Sequence, residues 1–166
     1  MTIAELNGLA HDAFVSALGG VFEESPWVAE RAWSRRPFAS LAELHAAMVA
    51  VVDAAPEAER LALLRAHPDL GAKARMSDAS VGEQRGAGLD RLTPAEFERL
   101  HRLNSEYRAR FDVPFIFAVT RRSKEDVLAA LERRIGSSRP AELAEAMRQV
   151  HRIAGFRLEQ ILGNVR

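Results

Sequence analysis

Apolar residues recur along most of this chain at steps of three and four, the spacing that gathers them on one face of a helix. The clearest stripe, toward the C-terminus, runs through Leu143, Met147, Val150, Ala154 and Ile161. Another runs through Phe97, Leu100, Tyr107 and Phe111 and is interrupted by Asn104. Start and stop signals frame these stripes. Ser40-Leu41-Ala42-Glu43 and Thr93-Pro94-Ala95-Glu96 have the form of capping boxes, in which a hydroxyl and an acid three residues later satisfy N–H groups that the first helical turn leaves unpaired. Ser123 with Asp126 imitates the box, and Ser25-Pro26 suggests a further start. Pro68, Gly136 and Gly163 are the matching stops. These signals predict helices over 10–19, 26–33, 41–54, 56–66, 81–87, 94–111, 124–135 and 140–162. Only the stretch 113–120, led by Pro114 and rich in Phe, Ile and Val, reads as extended, and it is too short and solitary to found a sheet. The expected fold is therefore all-α: one domain over 1–166, a bundle of about eight helices with one short extended segment near 113–120.

Composition narrows the functional classes. The 166 residues are 48% hydrophobic and 28% charged, ordinary values for a globular chain. Lys plus Arg and Asp plus Glu stand at 23 each, so no net field gathers polyanions, and neither nucleic acid nor a membrane is an expected partner. The absence of cysteine removes thiolate nucleophiles, thiolate metal sites and disulfides together. Glu5, His11 and Asp12 break the N-terminal stretch where a secretory signal needs an apolar run, and a cytoplasmic location is the expectation.

Candidate chemistry lies where polar residues occupy positions the pattern reserves for apolar ones. Arg157 falls within the arc of the C-terminal stripe. It is either a snorkelling side chain at the stripe's edge or a clamp for a carboxylate, since a buried guanidinium needs partners. Asn104, on the buried face of its helix, is read as structural, holding the loop between Phe111 and Val119. His67 closes a helix directly before Pro68-Asp69-Leu70-Gly71 and opens the longest non-helical stretch, 67–80. A dipole-binding helix C-terminal His is the simpler reading of that position. Ser80-Val81-Gly82-Glu83 reads as a capping box, with Gln84 beside it offering both donor and acceptor at a helix N-terminus able to bind anions. Ile153 and Phe156 lie off the main stripe, on a second apolar face that suits a dimer. Glu98-Arg99-Leu100-His101 has the Glu-x-x-His spacing of helical di-iron sites, but a single pair falls short of the two that such sites use.

Four spaced motifs taken together resemble a known family. His67-Pro68-Asp69-Leu70-Gly71, Ser80-x-x-Glu83-Gln84 followed by Ala87-Gly88-Leu89, Leu103-Asn104-x-x-Tyr107 and Pro114-Phe115 occur in the order found in the 2-oxo-4-hydroxy-4-carboxy-5-ureidoimidazoline (OHCU) decarboxylases. The similarity runs from about Leu6 to Leu162. The resemblance implies an all-helical fold, a homodimer, no cofactor or metal, and conversion of the substrate to (S)-allantoin with release of carbon dioxide during urate breakdown. It implies His67, Glu83 and Arg157 as catalytic residues. Pro68, Ser80 and Gln84 would line the substrate site, and backbone groups of Phe115, Ile116, Phe117, Ala118 and Val119 would read the polar ring edges. The chain departs from the family at Arg110-Phe111-Asp112-Val113-Pro114, where Lys-Phe-Gly-Phe-Pro is more usual.

Overall fold

A computed structural model describes residues 1–71 and 76–163. Part of the predicted 67–80 loop, residues 72–75, and the C-terminal residues 164–166 lie outside the described residues. Among the described residues there are nine α-helices and no strand. They are α1 (Ile3–Asn7), α2 (His11–Leu18), α3 (Trp27–Ala32), α4 (Leu41–Asp53), α5 (Glu57–Arg65), α6 (Asp78–Gly86), α7 (Pro94–Phe111), α8 (Lys124–Arg134) and α9 (Arg139–Ile161), with a 3-10 turn at Trp33–Arg35. The all-α expectation holds, and eight predicted helices are present close to their predicted bounds. The additional helix, α1, is opened by a full capping box between Thr2 and Glu5, a signal of the same kind as those that marked the others.

Thr93 and Ser123 form complete capping boxes with Glu96 and Asp126. Ser40 caps α4 through the N–H of Glu43, while the Glu43 carboxylate accepts from the N–H of Ala39. Two predicted starts differ. The Ser25 hydroxyl donates to the carbonyl of Glu23 and caps nothing. Ser77, not Ser80, caps α6: its hydroxyl oxygen accepts from the N–H of Ser80 at 3.2 Å, so the helix begins three residues earlier than the Ser80 box implied.

The chain divides into two compact units, one formed by Met1–Leu63 with the chain from His151 onward, the other by Leu64–Val150. In the first, α3 packs on α2 and α4 around Leu6, Phe14, Val28, Leu44 and Met48. In the second, α7 packs on α8, with Tyr107, Phe111, Phe115 and Leu131 fully buried. The buried face of α9 is rotated from the predicted stripe. Val150 and Ala154 are buried as expected, but Leu143, Met147 and Ile161 are only part-buried. Arg157 is buried, in keeping with its place in the stripe's arc, and Glu142, Ala146, Gln149 and Leu158 occupy the interior with it. The apolar count missed this because two of those four residues, Glu142 and Gln149, are polar and are paired inside. Among the described residues no helix is long and apolar enough to cross a membrane.

Candidate active site

The second unit brings most of the sequence-predicted site residues into a connected set. His67 follows the end of α5, where its N–H donates to the Leu64 carbonyl at 3.3 Å, and it is 7% exposed. The loop it opens is tied down on several sides. Gly71 donates its N–H to Gln84 Oε1 on α6 at 2.9 Å, while Asn104 Nδ2 on α7 donates to the Leu70 carbonyl at 3.0 Å. One turn further along α7, Arg108 pairs with Asp69 at 2.9 Å. Asn104 therefore holds the His67 loop, not the segment after Phe111 as its position in the stripe suggested. Gly71 is required here on two counts: its φ is +73°, and a Cβ would stand 2.6 Å from Leu100 Cδ2 and 3.2 Å from Leu92 Cδ1.

Ser80, Glu83 and Gln84 lie on one face of α6 at helical spacing, Ser80 and Gln84 buried and Glu83 part-buried. The Ser80 hydroxyl accepts from Ser77 Oγ at 3.1 Å, and Gln84 Nε2 donates to the Met76 sulfur at 3.1 Å. Gln84 is thus a direct link between the helix that carries Glu83 and the loop that carries His67. Pro68 is part-buried beside His67.

Residues 113–119 are non-helical and, apart from the part-buried Phe117, buried. Their entry is set by Asp112, which ends α7 in the left-handed conformation with φ 59° and ψ 25°. Asp and Asn tolerate that region better than other non-glycine residues. Arg65, two residues before His67, fixes the turn by donating to the Asp112 carbonyl at 3.2 Å and to its carboxylate at 2.8 Å. The departure from the family's Gly therefore falls at a left-handed position, which glycine adopts without strain. Beyond it, Arg134 Nη1 donates to the Ile116 carbonyl at 2.6 Å, and the Ala118 N–H donates to Gln149 Oε1 at 3.0 Å. The charge of Arg134 is met by Glu142, whose Oε1 accepts from Arg134 Nε at 2.5 Å and from the Tyr107 hydroxyl at 2.6 Å. Burial, followed by the hydrogen bond to Glu142, pushes the Tyr107 phenol well above its usual range, so it is a fixed donor.

Arg157 lies in the other unit. It is 4% exposed, which removes the snorkelling alternative, and it donates to Glu23 Oε2 at 2.8 Å and to the Gly20 carbonyl at 3.1 Å. The Glu98 and His101 pair considered for metal is exposed on α7, with His101 stacked on Phe97, so it does not face a bundle core as di-iron ligands do. Sequence reasoning passed over Glu23, Arg65, Arg108, Arg134, Glu142 and Gln149. Their polar character read as solvent-facing, and only their placement reveals them as the parts that hold the loops.

The chain is similar to known proteins over nearly its whole length. A family model described as OHCU decarboxylase matches residues 7–159. A 2-oxo-4-hydroxy-4-carboxy-5-ureidoimidazoline decarboxylase of Haloferax volcanii is 46% identical over 160 residues, covering 96% of this chain and 95% of that protein. Its namesake in Halalkalicoccus jeotgali is 47% identical over 161 residues, covering 97% of this chain and 92% of that protein. Among solved structures, a crystal structure of (S)-allantoin synthase superposes with a TM-score of 0.81 at 34% identity; the match covers 98% of this chain and 54% of that one.

Proposed function

Since this chain belongs to the OHCU decarboxylase family, we propose that it decarboxylates 2-oxo-4-hydroxy-4-carboxy-5-ureidoimidazoline to (S)-allantoin with its own side chains. The observation that carries the reading is the joining of the His67 loop to the Glu83 helix through Gln84 and Gly71, in a chain that matches the family over nearly its whole length. The substrate chemistry suits these residue types. One ring carbon bears both a carboxylate and a hydroxyl, beside an imine. As carbon dioxide leaves, the electron pair of the broken C–C bond moves into the ring and the imine nitrogen takes up a proton. The resulting enol becomes a carbonyl when its hydroxyl proton is removed and a proton reaches the ureido-bearing carbon.

In this reading His67 takes the hydroxyl proton. An imidazole, with an unperturbed pKa of ~6.5, exchanges protons near neutral pH, and such help is typically worth ~10²–10⁴-fold. Glu83 accepts hydrogen bonds from the ureido and ring N–H groups. Ser80, Gln84 and Pro68 complete the pocket wall, and backbone groups of 115–119 read the ring edges. Arg157 meets the substrate carboxylate, a role that rests on the family resemblance and is supported by its burial and its orientation by Glu23. Both units belong to one functional domain, since the family match runs through both without a break. The reading includes a homodimer and a cytoplasmic location. Part-buried Ile153 and Phe156 on α9 are the proposed dimer face.

The test generates the substrate in situ from urate and follows (S)-allantoin by circular dichroism. Wild type is expected to accelerate formation of a single enantiomer, and His67→Ala to lose at least ~10²-fold. Wild type that merely reproduces a slow racemic background would sink the reading.

A further inference from the structure

A buried, irregular segment is costly, because each of its backbone N–H and C=O groups has left water. Residues 113–119 form such a segment, and two of its backbone groups are satisfied by side chains: the Ile116 carbonyl by Arg134 and the Ala118 N–H by Gln149. Residues 116 and 118 are thus clamped. Phe117 lies between them, part-buried where its neighbours are buried, and neither its N–H nor its C=O makes a hydrogen bond among the described residues.

Each clamp is itself locked. Arg134 is 5% exposed and lies over the Phe115 ring, 4.5 Å from its centroid. Its counter-charge, Glu142, is 1% exposed and is fixed by the Tyr107 hydroxyl. Gln149 Nε2 donates to Glu145 at 2.9 Å, which fixes the orientation of its amide and turns the oxygen toward Ala118. A hydrophobic contact would have filled this space without specifying where the backbone sits. Hydrogen bonds of fixed direction specify the height and rotation of the segment, which is what a backbone that reads a ligand requires.

We infer that Arg134 and Gln149, locked by Glu142, Tyr107 and Glu145, are positioning residues that hold the 115–119 backbone so that the Phe117 peptide edge faces the ring of the substrate. This rests on the proposed decarboxylase reading, in which that backbone touches substrate. The clamp controls binding and facial selection, while proton transfer at His67 stays intact.

The test compares wild type, Gln149→Met and Gln149→Glu in the in situ assay, with a thermal melt of each. Met is close in size and lacks the acceptor; Glu keeps it. The expected result is a KM raised about tenfold in Gln149→Met, with a smaller change in kcat, an unchanged pH profile of kcat, and loss of enantiomeric purity in the allantoin. Gln149→Glu is expected to recover most of the purity. If Gln149→Met does not melt cooperatively, Tyr107→Phe, which removes one hydroxyl from Glu142, is expected to show the same pattern in weaker form. A folded Gln149→Met with wild-type KM and product purity overturns the clamp while the decarboxylase reading stands. A wild type without acceleration overturns both.

Discussion

Asp112 departs from the family pattern at a position where the backbone is left-handed. Its left-handed φ of 59° is the kind of position glycine fills elsewhere, and Arg65 anchors the side chain that stands in for the missing freedom. Asp112→Gly gains backbone latitude and loses an exposed ion pair, two effects of under ~1 kcal/mol each. It should therefore shift the denaturation midpoint little. Asp112→Val puts a β-branched residue at positive φ and should cost ~2 kcal/mol in the same urea titration. His151 offers a separate check. Its Nε2 faces Asp53 at 3.1 Å, its ring meets Phe22 edge-on, and its Nδ1 is buried with no hydrogen-bond partner among the described residues. His45, which binds the His151 carbonyl, adds a like-charge neighbour when protonated. Burial outweighs the Asp53 contribution and lowers the His151 pKa. The unfolded chain therefore takes up this proton more readily, so the stability contribution is present above the unfolded value near 6.5 and is lost as pH falls through the folded one. His151→Gln should flatten the decline of melting temperature between pH 7.5 and 5.5; an unchanged slope would rule out this origin.

At the scale of elements, the sequence was most legible where local chemistry acts alone. Thr93 and Ser123 announce α7 and α8 because a cap needs only its own first turn. Where two candidate caps compete, spacing misleads: Ser80 has Glu83 three residues on and Ser77 has only Ser80, yet the structure uses Ser77. Ser77→Ala should accordingly cost ~1 kcal/mol, a fall of ~2–4 °C in melting temperature for a chain of this size. Ser80→Ala should cost less in the melt and more in KM if Ser80 lines the substrate site. The C-terminal helix was legible in extent and misleading in orientation. Apolar periodicity finds a buried face only when burial is apolar, and the interior of α9 is built around Glu142, Gln149 and Arg157. Asn104 was recognised as a holding residue, but its target, the Leu70 carbonyl, lies 34 positions away, and no local rule selects it.

At the scale of the molecule, the joint motifs carried the family, whereas the division into two units left no mark in the sequence. Its boundaries fall inside α5 and α9, not in a linker rich in Gly, Pro or Ser. The balance of 23 acidic and 23 basic side chains leaves association to shape and apolar contact rather than to a long-range field. If Ile153 and Phe156 form the dimer face, Phe156→Glu should convert a sedimenting dimer to a monomer at micromolar concentration, and an unchanged sedimentation coefficient would discard that face. The same boundary inside α9 bears on how the protein is made. A ribosome delivers the chain from one end, and the unit of Leu64–Val150 is complete once its own residues have emerged. The other unit needs 151–163 before its first 63 residues have their final partner. Nascent chains stalled shortly after residue 150 should resist protease across 64–150 while remaining cleavable before it. Protection that spreads from the N-terminus first would show that the early helices wait for nothing downstream.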